Sequence, residues 1–129
     1  MKEVCIKAKI IYPDEKKEFP TSEGCFILEL WNKEEDPTVS VARARLPVEI
    51  KKTQPHYLIG ISERYLIVSG KGVVHVEGLA PKSVGPGDMV VIPPGFIQWI
   101  ENTDSCDLIF YYICTPRFTK EAYKDCSDD

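Results

Sequence analysis

Two stretches bounded by glycine decide the fold. The first, HYLIGISERYLIVSG, runs from residue 56 to residue 70, and the second, GDMVVIPPGFIQWIEN, runs from residue 87 to residue 102. Both consist of short runs of β-branched and aromatic residues that end at Gly, Pro or Asn, which is typical of strands joined by tight turns. The two stretches therefore predict consecutive short strands.

Side-chain alternation within these strands predicts which polar residues meet. Residues two apart in a strand share a face. Glu63 and Tyr65 then share one face, His56 shares another with Gln54, and Gln98 lies on a third. A closed barrel brings the three faces together, which predicts an interior pocket with one imidazole, one carboxylate and one or two amides.

The flanking sequence predicts more strands and almost no helix. CFILELWN, VSVARARLP, VVHVEG and DLIFYYIC have the same character, and most of the ten prolines and eight glycines fall between the strands. This punctuation favours a β-sandwich or barrel over a βαβ array. Ser69–Gly72 and the segment KSVGPGD are predicted as tight turns, the first of them a hairpin. Only PRFTKEAYKD, after Thr115, is expected to form a short helix, and that helix is marginal alone.

The glycine, proline and asparagine spacing in the two stretches resembles the two sequence motifs of the cupin family. The resemblance implies an all-β double-stranded β-helix, or jelly roll, formed by one domain over residues 1–129, with motif one at about 56–70 and motif two at about 87–102. In that family the first motif supplies two histidines one residue apart and a glutamate, and the second supplies another histidine. Together these side chains hold one divalent metal ion.

Three residues at the family's ligand positions still carry a donor atom, namely His56, Glu63 and Gln98, whereas Leu58 stands where the second histidine would be. The resemblance implies a first-row ion (Mn, Fe, Ni or Zn), bound more weakly than in a complete site. The alternative is a metal-free pocket in which these side chains hydrogen-bond to one another. Catalysis would use Glu63 or Tyr65 to move protons.

Three functions stay open on this basis. The first is a metal-dependent enzyme that acts on a small oxygenated metabolite, and the second is a non-catalytic barrel that binds a small molecule. The third is an accessory protein whose barrel is a scaffold with a vestigial metal site. Arg43 and Arg45 either grip a substrate from inside the pocket or, as their alternation with alanine favours, lie outside. His75 is expected to face solvent.

Composition limits the partners. The chain has 129 residues, a net charge of −4 and only scattered lysines and arginines, which argues against nucleic-acid or anionic-membrane partners. No long apolar run or signal peptide is present, so the expected location is the cytoplasm. The apolar outward residues Leu66, Val68 and Trp99 predict a homodimer. Reduced thiols are expected, because the five cysteines are odd in number and widely spaced; they are Cys5, Cys25, Cys106, Cys114 and Cys126.

Overall fold

The computed structural model describes residues 6–126, and this part of the chain is nearly all strand. Its strands are β1 Phe19–Pro20, β2 Phe26–Trp31, β3 Ser40–Leu46, β4 His56–Leu58, β5 Ser62–Ser69, β6 Gly72–Val76, β7 Lys82–Val84, β8 Met89–Ile92, β9 Gln98–Asn102, β10 Leu108–Thr115 and β11 Tyr123–Asp125. Two 3₁₀ turns, Glu15–Lys17 and Lys120–Ala122, are the helical elements of this range. None of its helices is long and apolar enough to cross a membrane.

The strands form two antiparallel sheets that enclose the core. One sheet has the order β1-β2-β3-β10-β5-β8 and the other has the order β11-β4-β9-β6-β7. Strands that neighbour each other in a sheet are mostly distant in sequence, because the chain crosses repeatedly between the two sheets. The prediction of an all-β double-stranded β-helix is confirmed.

Side chains from both sheets alternate between the core and the outside, as strand geometry requires. In β10 every second residue from Leu108 to Cys114 is buried, and Tyr65, Ile67 and Phe110 are at most 1% exposed. A second apolar cluster of Leu58, Ile61, Cys114 and Ala122 lies beneath Phe118 and Tyr123. This second cluster lies at the end of the barrel that also holds His56 and Glu63.

The segment Ser69–Gly72 is a corner and not the predicted hairpin turn. β5 and β6 belong to different sheets, so the segment carries the chain from one sheet to the other. Gly70 has φ +87°, and a β-carbon there would lie 2.7 Å from the carbonyl oxygen of Asp107. The positive φ that the sequence suggested is present, and close backbone approach adds a second reason for glycine. The segment KSVGPGD differs in part as well, because its first residues form the edge strand β7 before the turn at Gly87.

The predicted C-terminal helix is limited to one 3₁₀ turn. After Ala122 the chain becomes β11, which pairs antiparallel with β4, so that Tyr123 lies opposite Leu58 and Asp125 lies opposite His56. Strand pairing satisfies backbone groups that a helix of this length would hold only weakly. The tail therefore covers the free edge of the strand that carries His56.

Strand β3 has arginines on its outer face and alanine on its inner face. Arg43 and Arg45 lie outside and pair with Glu15 and Glu18, the shortest contact being 2.6 Å between Arg43 Nη2 and Glu15 Oε2. Ala44 is fully buried, as the alternation predicted.

His75 also lies on an outer face, where it stacks on Trp99 with ring centroids 3.5 Å apart. Val68, Met89 and Val91 remain 44%, 51% and 60% exposed. No disulfide joins the four cysteines within residues 6–126, and Cys5 lies outside the described residues.

Candidate functional site

A cavity of about 110 Å³ lies between the sheets at the end of the barrel that the tail closes. His56 reaches it from β4, Glu63 from β5, and Tyr123 from β11. The cavity continues outward into a wider mouth of about 670 Å³, which Arg117 and Lys120 help to line. The barrel thus has one polar interior end that opens to solvent.

Alternation placed most of the predicted site residues correctly. His56, Glu63 and Gln98 are 2%, 5% and 1% exposed and face inward, and His56 lies opposite Gln98 in the pairing of β4 with β9. The prediction for Gln54 is wrong, because this residue is exposed and precedes β4, which begins at His56. Its backbone carbonyl contributes instead, because it accepts a hydrogen bond from His56.

His56 has a partner on each ring nitrogen. Nδ1 lies 2.7 Å from the carbonyl oxygen of Gln54, and Nε2 lies 3.3 Å from Oε2 of Glu23. A carbonyl oxygen only accepts hydrogen bonds, so Nδ1 carries a proton and Nε2 faces the carboxyl of Glu23. Nε2 of His56 and the carboxyl of Glu23 are therefore close enough to pass a proton between them.

Glu23 is the functional residue that the sequence did not indicate. It lies in the tight loop between β1 and β2, where Gly24 has φ +119° and the carbonyl of Glu23 accepts a bond of 2.7 Å from the amide of Gln54. Burial raises the pKa of Glu23, and the neighbouring His56 offsets only part of that rise. The hydroxyl of Tyr112 lies 3.5 Å from Oε2 of the same carboxyl. A glutamate before glycine in a TSEG loop reads as a solvated turn, and no sequence signal marks it as buried.

Glu63 is the second buried carboxyl. Burial, followed by the nearby charge of Glu23, raises the pKa of Glu63 to about 8, while Gln98 and Cys114 counteract this in part. The thiol of Cys114 lies 3.7 Å from Oε2, whereas the buried Oε1 has no hydrogen-bond partner within residues 6–126. At neutral pH Glu63 is consequently protonated for the most part, and one of its oxygens is available to a ligand.

Tyr65 is buried in the core next to the cavity but does not line it. It is fully buried, its hydroxyl donates to Oε1 of Gln98, and burial raises its pKa well above the ordinary value. Neither Tyr65 nor Gln98 is among the residues that line the cavity. Tyr65 therefore contacts the site through Gln98.

The donors as they lie do not fit a first-row metal ion. Both nitrogens of His56 face protein oxygens, and the side-chain oxygen of Gln98 accepts from Tyr65. No three histidine, cysteine, aspartate or glutamate side chains within residues 6–126 form a group able to hold a metal. Coordination through His56, Glu63 and Gln98 therefore stays a prediction.

The arrangement does fit proton transfer. Glu63 holds a proton at neutral pH, and the pair of Glu23 and His56 can accept one at Nε2 or at the carboxylate. Groups whose environments shift their pKa values toward neutrality are typical general acids and bases. Both face the same small cavity, so an enclosed ligand contacts a proton donor and a proton acceptor together.

Comparisons with known proteins identify the family. A cupin family model matches residues 28–122, while no curated protein matches the chain. A variant of Streptomyces Pac13 with uridine superposes with a TM-score of 0.74 at 18% identity, covering 92% of this chain and 91% of that one. A further structure describes Pac13 as a nucleoside dehydratase.

Two other structures share the fold. KdgF from Halomonas sp. has a TM-score of 0.72 at 17% identity and covers 85% of this chain and 96% of its own. A predicted oxalate decarboxylase from Thermotoga maritima has a TM-score of 0.67 at 26% identity, with 82% and 93% covered. The family model spans most of the chain, the barrel has the family's architecture, and this protein belongs to the cupin family.

Proposed function

We propose that this protein is a cupin enzyme that transfers protons on a small, uncharged, oxygenated metabolite, most simply to eliminate water from it. The observation that carries the proposal is the buried carboxyl of Glu63, whose pKa burial raises to about 8 and which faces the same cavity as the neighbouring Glu23 and His56. Pac13 is a nucleoside dehydratase on the same fold, which supports this class of reaction for a cupin barrel. A nucleoside is accordingly a reasonable first compound to test.

The proposed reaction balances with the chain's own groups. Nε2 of His56, or the Glu23 carboxylate through it, removes a proton from carbon next to a carbonyl or similar activating group. The electrons of the broken C–H bond form a carbon–carbon double bond, and the neighbouring C–O bond breaks. Glu63 donates its proton to the departing hydroxyl, which leaves as water. Exchange with solvent through the mouth then returns one proton to Glu63 and removes one from the pair.

Tyr65 has a positioning role in this proposal. Its hydroxyl fixes the amide of Gln98, which lies close enough to Glu63 to lower the pKa of that carboxyl. Loss of this hydroxyl would free the amide to rotate and would change the proton affinity of Glu63. The expected effect is on the pH dependence of turnover more than on ligand affinity.

Deuterium exchange with solvent separates the two proton-transfer roles. Wild type in D₂O is incubated with nucleosides, hydroxy aldehydes and polyols, and proton NMR follows both loss of the acidic C–H signal and appearance of product. His56→Ala should abolish exchange, because both proton-accepting routes run through Nε2 of His56. Glu63→Gln should retain exchange but lose elimination, because only the acid is lost. Glu35→Gln is the matched control, since Glu35 is exposed and lines neither the cavity nor its mouth.

A second candidate is a barrel that binds a metabolite without converting it. Leu58 favours this candidate, because a buried leucine, only 3% exposed, lines the cavity where a cupin metal site has a ligand. Compounds that bind in the cavity and show no exchange over many hours would support this candidate against the enzyme.

A divalent ion is the third element to test. If one binds, His56 and Glu63 are the residues to hold it, with Gln98 or Glu23 beside them, and the ion would supply Lewis acidity.

The homodimer and the cytoplasmic location remain proposals as well. Exposed apolar side chains at the β8 edge support the dimer, and free thiols support the location.

A further inference from the structure

The interior cavity carries acidic side chains, and the one basic side chain that the described residues place there, His56, already faces Glu23. Glu23, Glu29 and Glu63 line it, and no lysine or arginine within residues 6–126 does so. The proposed reaction uses Glu23 and Glu63 but leaves Glu29 without a role. Glu29 lines both the cavity and the mouth, and Oε2 of Glu29 accepts a bond of 2.9 Å from Nδ2 of Asn32. It therefore stands at the passage between the two spaces.

The nearby basic residues are occupied elsewhere or stay outside. Arg43 and Arg45 pair with Glu15 and Glu18 on the outer face, while Arg64 donates to the hydroxyl of Thr115 at 2.7 Å. An anion that entered the cavity would lose its hydration without gaining a lysine or arginine partner from the described part of the chain, and both nitrogens of His56 already face protein oxygens. It would also have to pass Glu29, an exposed glutamate that lines both the cavity and the mouth.

The walls between these carboxyls are aromatic and apolar. Phe19, Phe118 and Tyr123 line the cavity together with Ile27 and Leu58. Aromatic faces are electronegative, so they favour flat uncharged rings and cations over anions. The aromatic walls and the acidic side chains thus both disfavour anions.

We infer that this cavity selects flat ligands that are uncharged or cationic, that it rejects carboxylates and phosphates, and that Glu29 enforces this selection at the entrance. The inference rests on the proposed function, because it describes the ligand of the same site. It narrows the substrate to compounds whose buried part has no anionic group. Any anionic substituent of such a compound would have to remain at the mouth, where Arg117 and Lys120 lie.

Three probes of nearly equal shape test the charge rule. Benzamidine, benzamide and benzoate differ in charge and little else, and the methyl NMR signals of Ile27 and Leu58 report entry into the cavity. Benzamide and benzamidine should shift these signals in a saturable way, and benzoate should bind at least tenfold more weakly. Glu29→Gln should reduce the ratio of benzamidine affinity to benzoate affinity severalfold, whereas Glu35→Gln should leave the ratio unchanged.

Each result of the three-probe experiment supports or contradicts one part of the inference. Benzoate binding as tightly as benzamide would overturn the charge rule, and an unchanged ratio in Glu29→Gln would overturn the role of Glu29. If none of the three probes shifts the methyl signals, the inference that the cavity takes flat rings is wrong. The proposed function is judged separately, since deuterium exchange on other compounds does not depend on these probes.

Discussion

Replacing Glu63 with glutamine should make the stability of the protein much less sensitive to pH. Glu63 is a buried carboxyl whose pKa rises to about 8 from an ordinary value of 4.5, chiefly through burial. The folded protein therefore holds this proton more tightly than the unfolded chain does. Between these two pH values the unfolded chain has lost the proton and the folded protein has not, so stability falls as pH rises.

The magnitude follows from the width of that interval. Each pH unit is equivalent to about 1.4 kcal/mol for one group, so the loss between pH 4.5 and about 8 is at most about 5 kcal/mol. Above about pH 8 the contribution is constant, because Glu63 is then ionised in both states. The pKa of Glu23 is also raised by burial, so Glu23 contributes in the same direction and the two carboxyls titrate as a pair. The loss attributed to Glu63 is a large share of the roughly 5–15 kcal/mol that stabilises a typical domain.

Glutamine keeps the shape of the side chain but has no proton to lose. The variant should match wild type to within about 1 kcal/mol near pH 5 and exceed it by about 2–5 kcal/mol near pH 9. Urea unfolding followed by circular dichroism at several pH values measures both curves. Glu35→Gln controls for loss of a glutamate charge at an exposed position. Parallel curves for Glu63→Gln and wild type would refute the buried, protonated state of Glu63 and with it the proposed acid.

Three further results are expected. Gly70→Val should destabilise the fold by about 1–3 kcal/mol or more, since a β-carbon at that positive φ would lie 2.7 Å from a backbone oxygen; an unchanged melting temperature would contradict the corner geometry. Sedimentation at micromolar concentration should show a homodimer, because Met89 and Val91 are 51% and 60% exposed on an edge strand, and a 14.6 kDa species would exclude it. Calorimetric titration with manganese, iron, nickel and zinc should show at most weak binding, because both nitrogens of His56 face protein oxygens, and His56→Ala should abolish whatever binding is seen; equal binding by both proteins would reject the metal site.

How far the sequence predicts this site depends on whether the information is local. Alternation with a period of two is a local property, so it placed His56, Glu63 and Gln98 on buried faces without any knowledge of the topology. It failed for Gln54 because the strand begins only at His56. Extending a face beyond the end of a strand is not valid, and the sequence alone did not mark that end.

The residues that the sequence missed depend on contacts between distant parts of the chain. Glu23 is buried because its loop bonds to the backbone of Gln54, about thirty residues later. Likewise the tail forms a strand because the edge of β4 is available to it. Turn chemistry predicted a bend at Gly70, but whether the bend joins two strands of one sheet or links two sheets is decided by the global topology. Such pairings are not encoded in any short window of sequence.

The same distant contacts determine the chemistry of the cavity. By the predicted alignment with the cupin motifs, Leu58 and Gln98 stand where the family has two histidines, and both side chains are electrically neutral. A carboxyl from an unrelated loop, Glu23, then becomes the partner of the one remaining imidazole. Burial raises the pKa values of both Glu23 and Glu63, that of Glu63 to about 8, so Glu63 keeps its proton at a pH where exposed carboxyls have lost theirs. In the proposed reaction, the replacements that weaken a metal site thus leave the proton-transfer groups in the same space.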